Sequence, residues 1–325
     1  MKKHATRAAQ LCLAAGVAGM LISGAVQAAD AGKSLKAEKA DKADKADKAA
    51  KPYQSVGDIL KASQPGDWRP LNPENTLYLE LEKGRVVIEL APEFAPAHAD
   101  NIRTLVREGY YDGLAIVRSH ENYVVQWADP DEKRELKKAK SKLPPEFTVP
   151  VPAGQVFSAL PDRDGFAPQA GHVNGFAAGR DPKTQQTWLA HCYGAVGVAR
   201  GNELDSGSGT SLYVVIGHAP RQLDRNIAVV GRVMKGMELL TTLPRGSGAL
   251  GFYEKAEERT PVKSVRMAAD VPEAERSALE VIRTDAPVFG RIKEALRNRG
   301  GDWYKVPAAY VDLCNVAIPV RAKQS

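Results

Sequence analysis

Residues 110–129, YYDGLAIVRSHENYVVQWAD, set one arginine, Arg118, inside an apolar run and place Gln126 eight positions on. Tyr123, Val124 and Val125 come just before that glutamine. A guanidinium stays charged and carries five N–H donors in a rigid fork. A chain seldom puts such a group in an apolar strand unless a partner or a substrate needs it. Taken alone, the stretch reads more plainly as an edge strand with a surface arginine. Other chemistries find less support. His98, His120, His172, His191 and His218 are scattered, with no HxxxH or CxxC spacing, so no metal site or cofactor is expected. Ser206, Ser208 and Ser211 lack the GxSxG elbow of a serine hydrolase. Asp224-Arg225-Asn226 reads as a turn.

The elements that must position Arg118 and Gln126 are short and mostly extended. Residues 76–90, TLYLELEKGRVVIEL, alternate apolar and polar side chains about Lys83-Gly84 and read as a β-hairpin. Residues 91–109 read as an amphipathic helix. Pro96 suits its first turn, Ile102, Leu105 and Val106 share a face, and Gly109 ends it. Further strands are expected at 115–117, 123–127, 195–199, 211–216 and 228–233. Many short strands with one or two helices indicate a mainly β fold, a closed antiparallel barrel capped by helices. Residues 130–190 are long for a connection, and Phe147, Phe157, Phe166, Phe176 and Trp188 imply that they pack on the domain. The tail, 271–325, is too short for an independent domain and should dock on the barrel. Within it, 273–282 and 288–298 read as helices, and 311–320 as an edge strand interrupted by Pro319.

The chain has 325 residues, enough for one large domain or two ordinary ones. Lys2, Lys3 and Arg7, the apolar run 8–26 and the small residues before Ala28 form a cleavable secretory leader, 1–28. An exported, periplasmic protein is expected. No later stretch is apolar for 18 residues, so no membrane span is expected. The formal charge is +6, and +3 without the three basic leader residues, too small and dispersed to argue for nucleic acid. Residues 36–51 repeat Lys-Ala-Asp and cannot bury enough surface to order themselves, so 29–52 reads as a solvated linker. The folded part is expected at 53–270, with 130–190 inserted in it. Cys192 and Cys314 could form a disulfide in an oxidising compartment or be two buried small hydrophobes.

In their order, the motifs resemble the cyclophilin-type peptidyl-prolyl isomerases. The matching stretches are GRVVIELAPEFAPAHADNI, the 110–129 segment, LPPEF at 143–147 and HCYGAVGVAR at 191–200. GTSLYVVIG at 209–217 and IAVVGRVMKGME at 227–238 complete the set, which spans about residues 75–270. The resemblance implies an eight-stranded, closed antiparallel barrel capped by two helices, here with an insert and a C-terminal α/β extension. It makes Arg118 the catalytic arginine and Gln126 the hydrogen-bond partner of the substrate backbone. Tyr123, Val124, Tyr213 and Leu223 would line the proline pocket. Ala199 and Arg200 would lie on the strand whose main chain pairs with substrate. Ser211 replaces a second glutamine, and Ile227 takes a position that is His in many members. Other departures are Ile116-Val117 for Phe-His, Trp127-Ala128 for Gly-Gly, and Gln222 near a usual Trp or Phe.

The chemistry implied needs no nucleophile. Rotation about X–Pro faces a barrier of about 18–20 kcal/mol set by amide resonance. A donor aimed at the prolyl nitrogen helps as that atom turns pyramidal, and helps little in the planar ground state. The expected partners are unfolded or partly folded proline-containing polypeptides, bound by a monomer. The competing reading is a binding or chaperone module with little catalysis. An open apolar pocket beside Arg118 and Gln126 suits the enzyme. A pocket filled by Trp127 or by the insert suits the binder.

Overall fold

A computed structural model describes residues 53–324. The expected leader, its cleavage site near Ala28 and the Lys-Ala-Asp repeat lie outside those residues. No helix among the described residues is long and apolar enough to cross a membrane.

The central element is a curled antiparallel sheet of nine strands. In spatial order they are Thr260–Pro261, Ala115–Ser119, Val124–Ala128, Leu212–Val215, Ala195–Val198, Val229–Lys235, Gly84–Leu90, Thr76–Leu81 and Ser264–Met267. Eight strands were expected. The ninth arises because one stretch of chain contributes a short strand to each edge, with only Val262 and Lys263 between them. Val262 N–H donates to Leu114 O at 2.7 Å on one side, and Lys263 N–H to Glu80 O at 2.8 Å on the other. Alternation sorts the side chains as the period of two requires. Leu79, Ile88, Ile116, Val125, Trp127 and Val214 point into one interior cluster. The helix Pro96–Arg107 closes it, with Ile102 and Leu105 fully buried. Pro96 stands at its start, where a missing N–H leaves no bond unmade. The second helix, Met237–Thr241, adds Leu240 to the same interior.

A second layer covers part of the outer face. The insert, for which no strands were assigned from sequence, forms a five-stranded sheet in the order Val149–Pro150, Gln186–Leu189, Phe176–Asp181, Gln169–Val173, Ser158–Ala159. Asn174-Gly175 joins two of these strands, both residues having positive φ (48° and 86°). Two residues of left-handed backbone are what a tight hairpin needs, and an Asn-Gly pair is a signal for it. His172 is on the strand Gln169–Val173.

The tail departs from expectation in two places. Residues 273–282 are a short 3-10 turn, Glu273–Glu275, and a strand, Leu279–Ile282, not a helix. That strand lies between Trp68–Pro70 and Val320–Ala322, so sheet pairing has overridden local helix preference. The strand expected at 311–320 is a 3-10 turn, Leu313–Asn315, with the edge strand starting only at Val320, after Pro319. The helix Pro287–Arg297 matches expectation. Its Phe289 and Ile292 share a core with Ile59, Trp68, Leu160 and Leu313, so N-terminal segment, insert and tail form one layer. Cys192 and Cys314 are disulfide-bonded across 122 residues, which staples the tail to this layer.

Candidate active site

Arg118 and Gln126 stand opposite each other on neighbouring strands. Strict alternation would not pair them so. Ile116 pairs with Trp127, the register then shifts, and Arg118 pairs with Gln126. The bulge at Val117 re-aims the strand, so Ile116 stays inside while Arg118 and Gln126 share the outer side. Arg118 is half-buried. Its Nε donates to Leu250 O at 2.7 Å, Nη1 to Gln126 Oε1 at 3.4 Å, and Nη2 meets His120 Nδ1 at 3.1 Å. The rings of Phe252 and Tyr123 lie 5.1 and 5.4 Å from its guanidinium carbon. Among the described residues it has no carboxylate partner. Burial lowers its pKa below the ordinary arginine value, the Tyr123 interaction opposing slightly.

Gln126 is held in turn. Its Nε2 donates to the Ser211 hydroxyl at 2.9 Å. An amide nitrogen has two hydrogens, so one remains for a ligand. A cleft of about 680 Å³ opens beside it, lined by Val117, Gln126, Ala199, Arg200, Ser211 and Phe252 among others. Trp127 does not enter this cleft, because it is 1 % exposed in the cluster inside the curled sheet. Val124 and Tyr213 sit differently. They are 2 % and 5 % exposed and pack in one cluster with Val173, Phe176, Ala178 and Leu189 of the insert. The expected pocket floor is thus backed by the insert and offers little open surface. Tyr123, Ala199 and Ile227, all partly buried, pack at the margin of that cluster.

A polar chain runs behind the floor. Tyr213 and Gly197 pair across strands, and a Cβ on Gly197 would lie 2.3 Å from the tyrosine hydroxyl. Only glycine lets the phenol cross there. The hydroxyl meets His191 Nε2 at 2.8 Å, and His191 Nδ1 meets Asp224 Oδ1 at 2.9 Å. An ionised carboxylate only accepts, so in the neutral ring Nδ1 carries the hydrogen and Nε2 accepts from Tyr213. Arg221 donates to Asp224 at 2.6 Å and, through both terminal nitrogens, to Asp164 at 3.0 Å. Burial would raise the Asp224 carboxyl, but the His191 hydrogen bond and the Arg221 charge hold it below its ordinary value. Burial pushes the Tyr213 phenol well up. Asp164 belongs to the insert, so this chain ties the insert to the loop behind the pocket.

The remaining expected residues are Leu223, Ala199 and Arg200. Leu223 ends the 3-10 turn Arg221–Leu223 and is not part of the Tyr213 cluster. Ala199 and Arg200 fall just beyond the strand Ala195–Val198, and Ala199 N–H already donates to Ser211 O at 3.0 Å. The Arg200 side chain folds back onto Asn226 O, at 2.9 Å, and over the Phe147 ring. Four contributors had no sequence signal as such. His120 and Phe252 flank Arg118, Leu250 orients it by a backbone carbonyl, and His191 orients Tyr213.

The family model described as "Cyclophilin type peptidyl-prolyl cis-trans isomerase/CLD" matches residues 76–269. A "Probable peptidyl-prolyl cis-trans isomerase" of Brucella suis is 27 % identical over 212 residues, 65 % of this chain and 88 % of its own length. "Peptidyl-prolyl cis-trans isomerase-like 1" of Homo sapiens is 35 % identical over 71 residues, 22 % of this chain and 40 % of its own. The crystal structure of cyclophilin AquaCyp293 from Hirschia baltica superposes with a TM-score of 0.65 at 25 % identity, covering 84 % of this chain and 99 % of that one.

Proposed function

The chain belongs to the cyclophilin-type peptidyl-prolyl cis-trans isomerases, and from that premise we propose how it catalyses and on what. Arg118 stabilises the twisted amide, and Gln126 holds the substrate backbone beside the rotating carbonyl. The observation that carries this is a half-buried guanidinium, set level with Gln126 by the bulge and left without a carboxylate among the described residues. Three of its five donors are used within the protein, which leaves two for a bound peptide. These donors gain most when the prolyl nitrogen becomes pyramidal, which is selective stabilisation of the transition state.

The substrates are unfolded or partly folded exported chains containing X–Pro bonds, met in the periplasm. Two features support this: the leader-like residues 1–28, and the Cys192–Cys314 disulfide, a bond that persists in oxidising compartments. The protein acts as a monomer without a cofactor. A protease-coupled prolyl-isomerisation assay on residues 29–325 tests the assignment. Arg118→Ala should lower kcat/KM by about two decades, a ~3 kcal/mol effect. An unchanged rate in that variant overturns the role of Arg118.

One observation favours a second reading, a chain-holding protein with weak catalysis. Val124 and Tyr213 are nearly fully buried, with insert side chains packed around them. Peptide binding by the folded wild type without acceleration would establish that reading.

A further inference from the structure

A second cavity, of about 240 Å³, lies between the sheet, the insert and the C-terminal tail, away from Arg118. The tail supplies Leu313, Val316 and Ile318, and the Cys192–Cys314 disulfide is part of the wall. These tail residues lie beyond the span matched by the family model, so the cavity is not a feature of the isomerase domain alone. Its lining is mostly apolar, with one charged side chain, Arg232.

The charges around Arg232 do not balance locally. Its cross-strand neighbour is Glu89. Both oxygens of Glu89 are taken by Arg69, at 2.6 and 3.0 Å. Two guanidinium groups thus share one buried carboxylate. Among the described residues, Arg232 Nη1 and Nη2 reach only Ile318 O, at the long distances of 3.5 and 3.4 Å, and its Nε is buried with no partner. Burial lowers its pKa to about 10, with Arg69 adding to the effect and Glu89 opposing it. A half-buried cation without a full set of acceptors is costly, and an anion that supplied them would relieve that cost.

We propose that this cavity binds a small aliphatic carboxylate, with its headgroup on Arg232 and its chain against Leu189, Val229 and Val316. The two terminal nitrogens, engaged only by the long contacts to Ile318 O at the cavity wall, form the fork that donates to two carboxylate oxygens side by side. A monoanion matches the single surplus charge, and the apolar walls select a hydrocarbon body. The volume equals roughly eight waters at about 30 Å³ each, below the ~300 Å³ at which drug-sized pockets begin, so the chain is short.

The test uses residues 29–325 with the disulfide intact. Hexanoate and its neutral analogue hexan-1-ol are titrated by calorimetry and by methyl NMR. In the wild type hexanoate should bind at least tenfold tighter than hexan-1-ol, with shifts centred on the Val229, Val316 and Ile318 methyls. Arg232→Met should bring the ratio close to one while hexan-1-ol still binds. Equal binding of the two probes by the wild type overturns the proposal, as do shifts centred elsewhere. The wild-type ratio decides the matter even where Arg232→Met fails to fold.

Discussion

Arg118 and Arg221 carry the same group in opposite electrostatic settings. Arg221 lies between two carboxylates, Asp164 and Asp224, and all three side chains are at most 4 % exposed. Arg118 has a carbonyl, an amide oxygen, an imidazole and two ring faces, but no anion among the described residues. Burial pulls both pKa values down. At Arg221 hydrogen bonds and charge from Asp164 and Asp224 reverse that, and at Arg118 nothing of that strength does. The difference separates two uses of a guanidinium. A neutralised one holds pieces of a fold together. One held in place by neutral groups keeps its field for a ligand.

The comparison is broken most directly at Arg221. Arg221→Ala leaves two buried carboxylates facing each other, and removing one member of a buried pair costs about 3–5 kcal/mol. Urea unfolding should show a lower midpoint with little change in slope. A loss under about 0.5 kcal/mol would mean that the cluster does not hold the insert in place. Next in size is Arg118→Ala, with ~3 kcal/mol lost in activation but stability within about 0.5 kcal/mol of wild type. A large fall in its urea midpoint would make Arg118 structural after all and erase the contrast.

Two buried histidines sharpen it. Both ring nitrogens of His191 have partners, whereas among the described residues neither nitrogen of His172 has a hydrogen-bonded one, its ring packing edge-on against Phe289 at 4.9 Å. Burial, with the Lys293 and Arg232 charges, lowers the His172 pKa from 6.5 to about 3. Between those values the unfolded chain binds a proton that the folded one refuses. Stability should therefore fall as pH drops from 6.5 towards 3, by up to about 1.4 kcal/mol per pH unit. His172→Phe should flatten that slope, measured by urea unfolding at pH 7 and pH 4. A slope unchanged from wild type would mean that His172 is protonated in the folded state. The smallest effect is expected for Tyr213→Phe, which leaves His191 Nε2 without its donor. About 1 kcal/mol of stability should go, with kcat/KM reduced less than tenfold. A larger kinetic loss would show that the hydroxyl positions the pocket.

The elements that carry the candidate site were legible because their signals are local, whereas the roles of Arg118 and Gln126 came from the order of the motifs along the chain. The alternation in residues 76–90, the apolar face and Pro96 of the helix, and the eight-residue step from Arg118 to Gln126 need no distant partner to be read. Where local preference met tertiary pairing, pairing won. Residues 273–282 look helical by composition, yet 279–282 are a strand because Trp68–Pro70 and Val320–Ala322 lie on either side. The insert went unread because its strands are short and glycine-bearing, although Asn174-Gly175 marked one hairpin in plain view.

The sequence by itself determined the periodicities, the fixed charge of Arg118 and the two cysteines able to bond. Tertiary structure alone decided what those groups meet. The bulge at Val117 sets Arg118 level with Gln126, a loop 132 residues away supplies the Leu250 carbonyl, and Asp164 reaches Arg221 across 57 residues. The physical reason is that periodicity and charge are properties of neighbours along a chain. Hydrogen-bond partners and burial are set when non-local surfaces close and every buried polar group must find a mate.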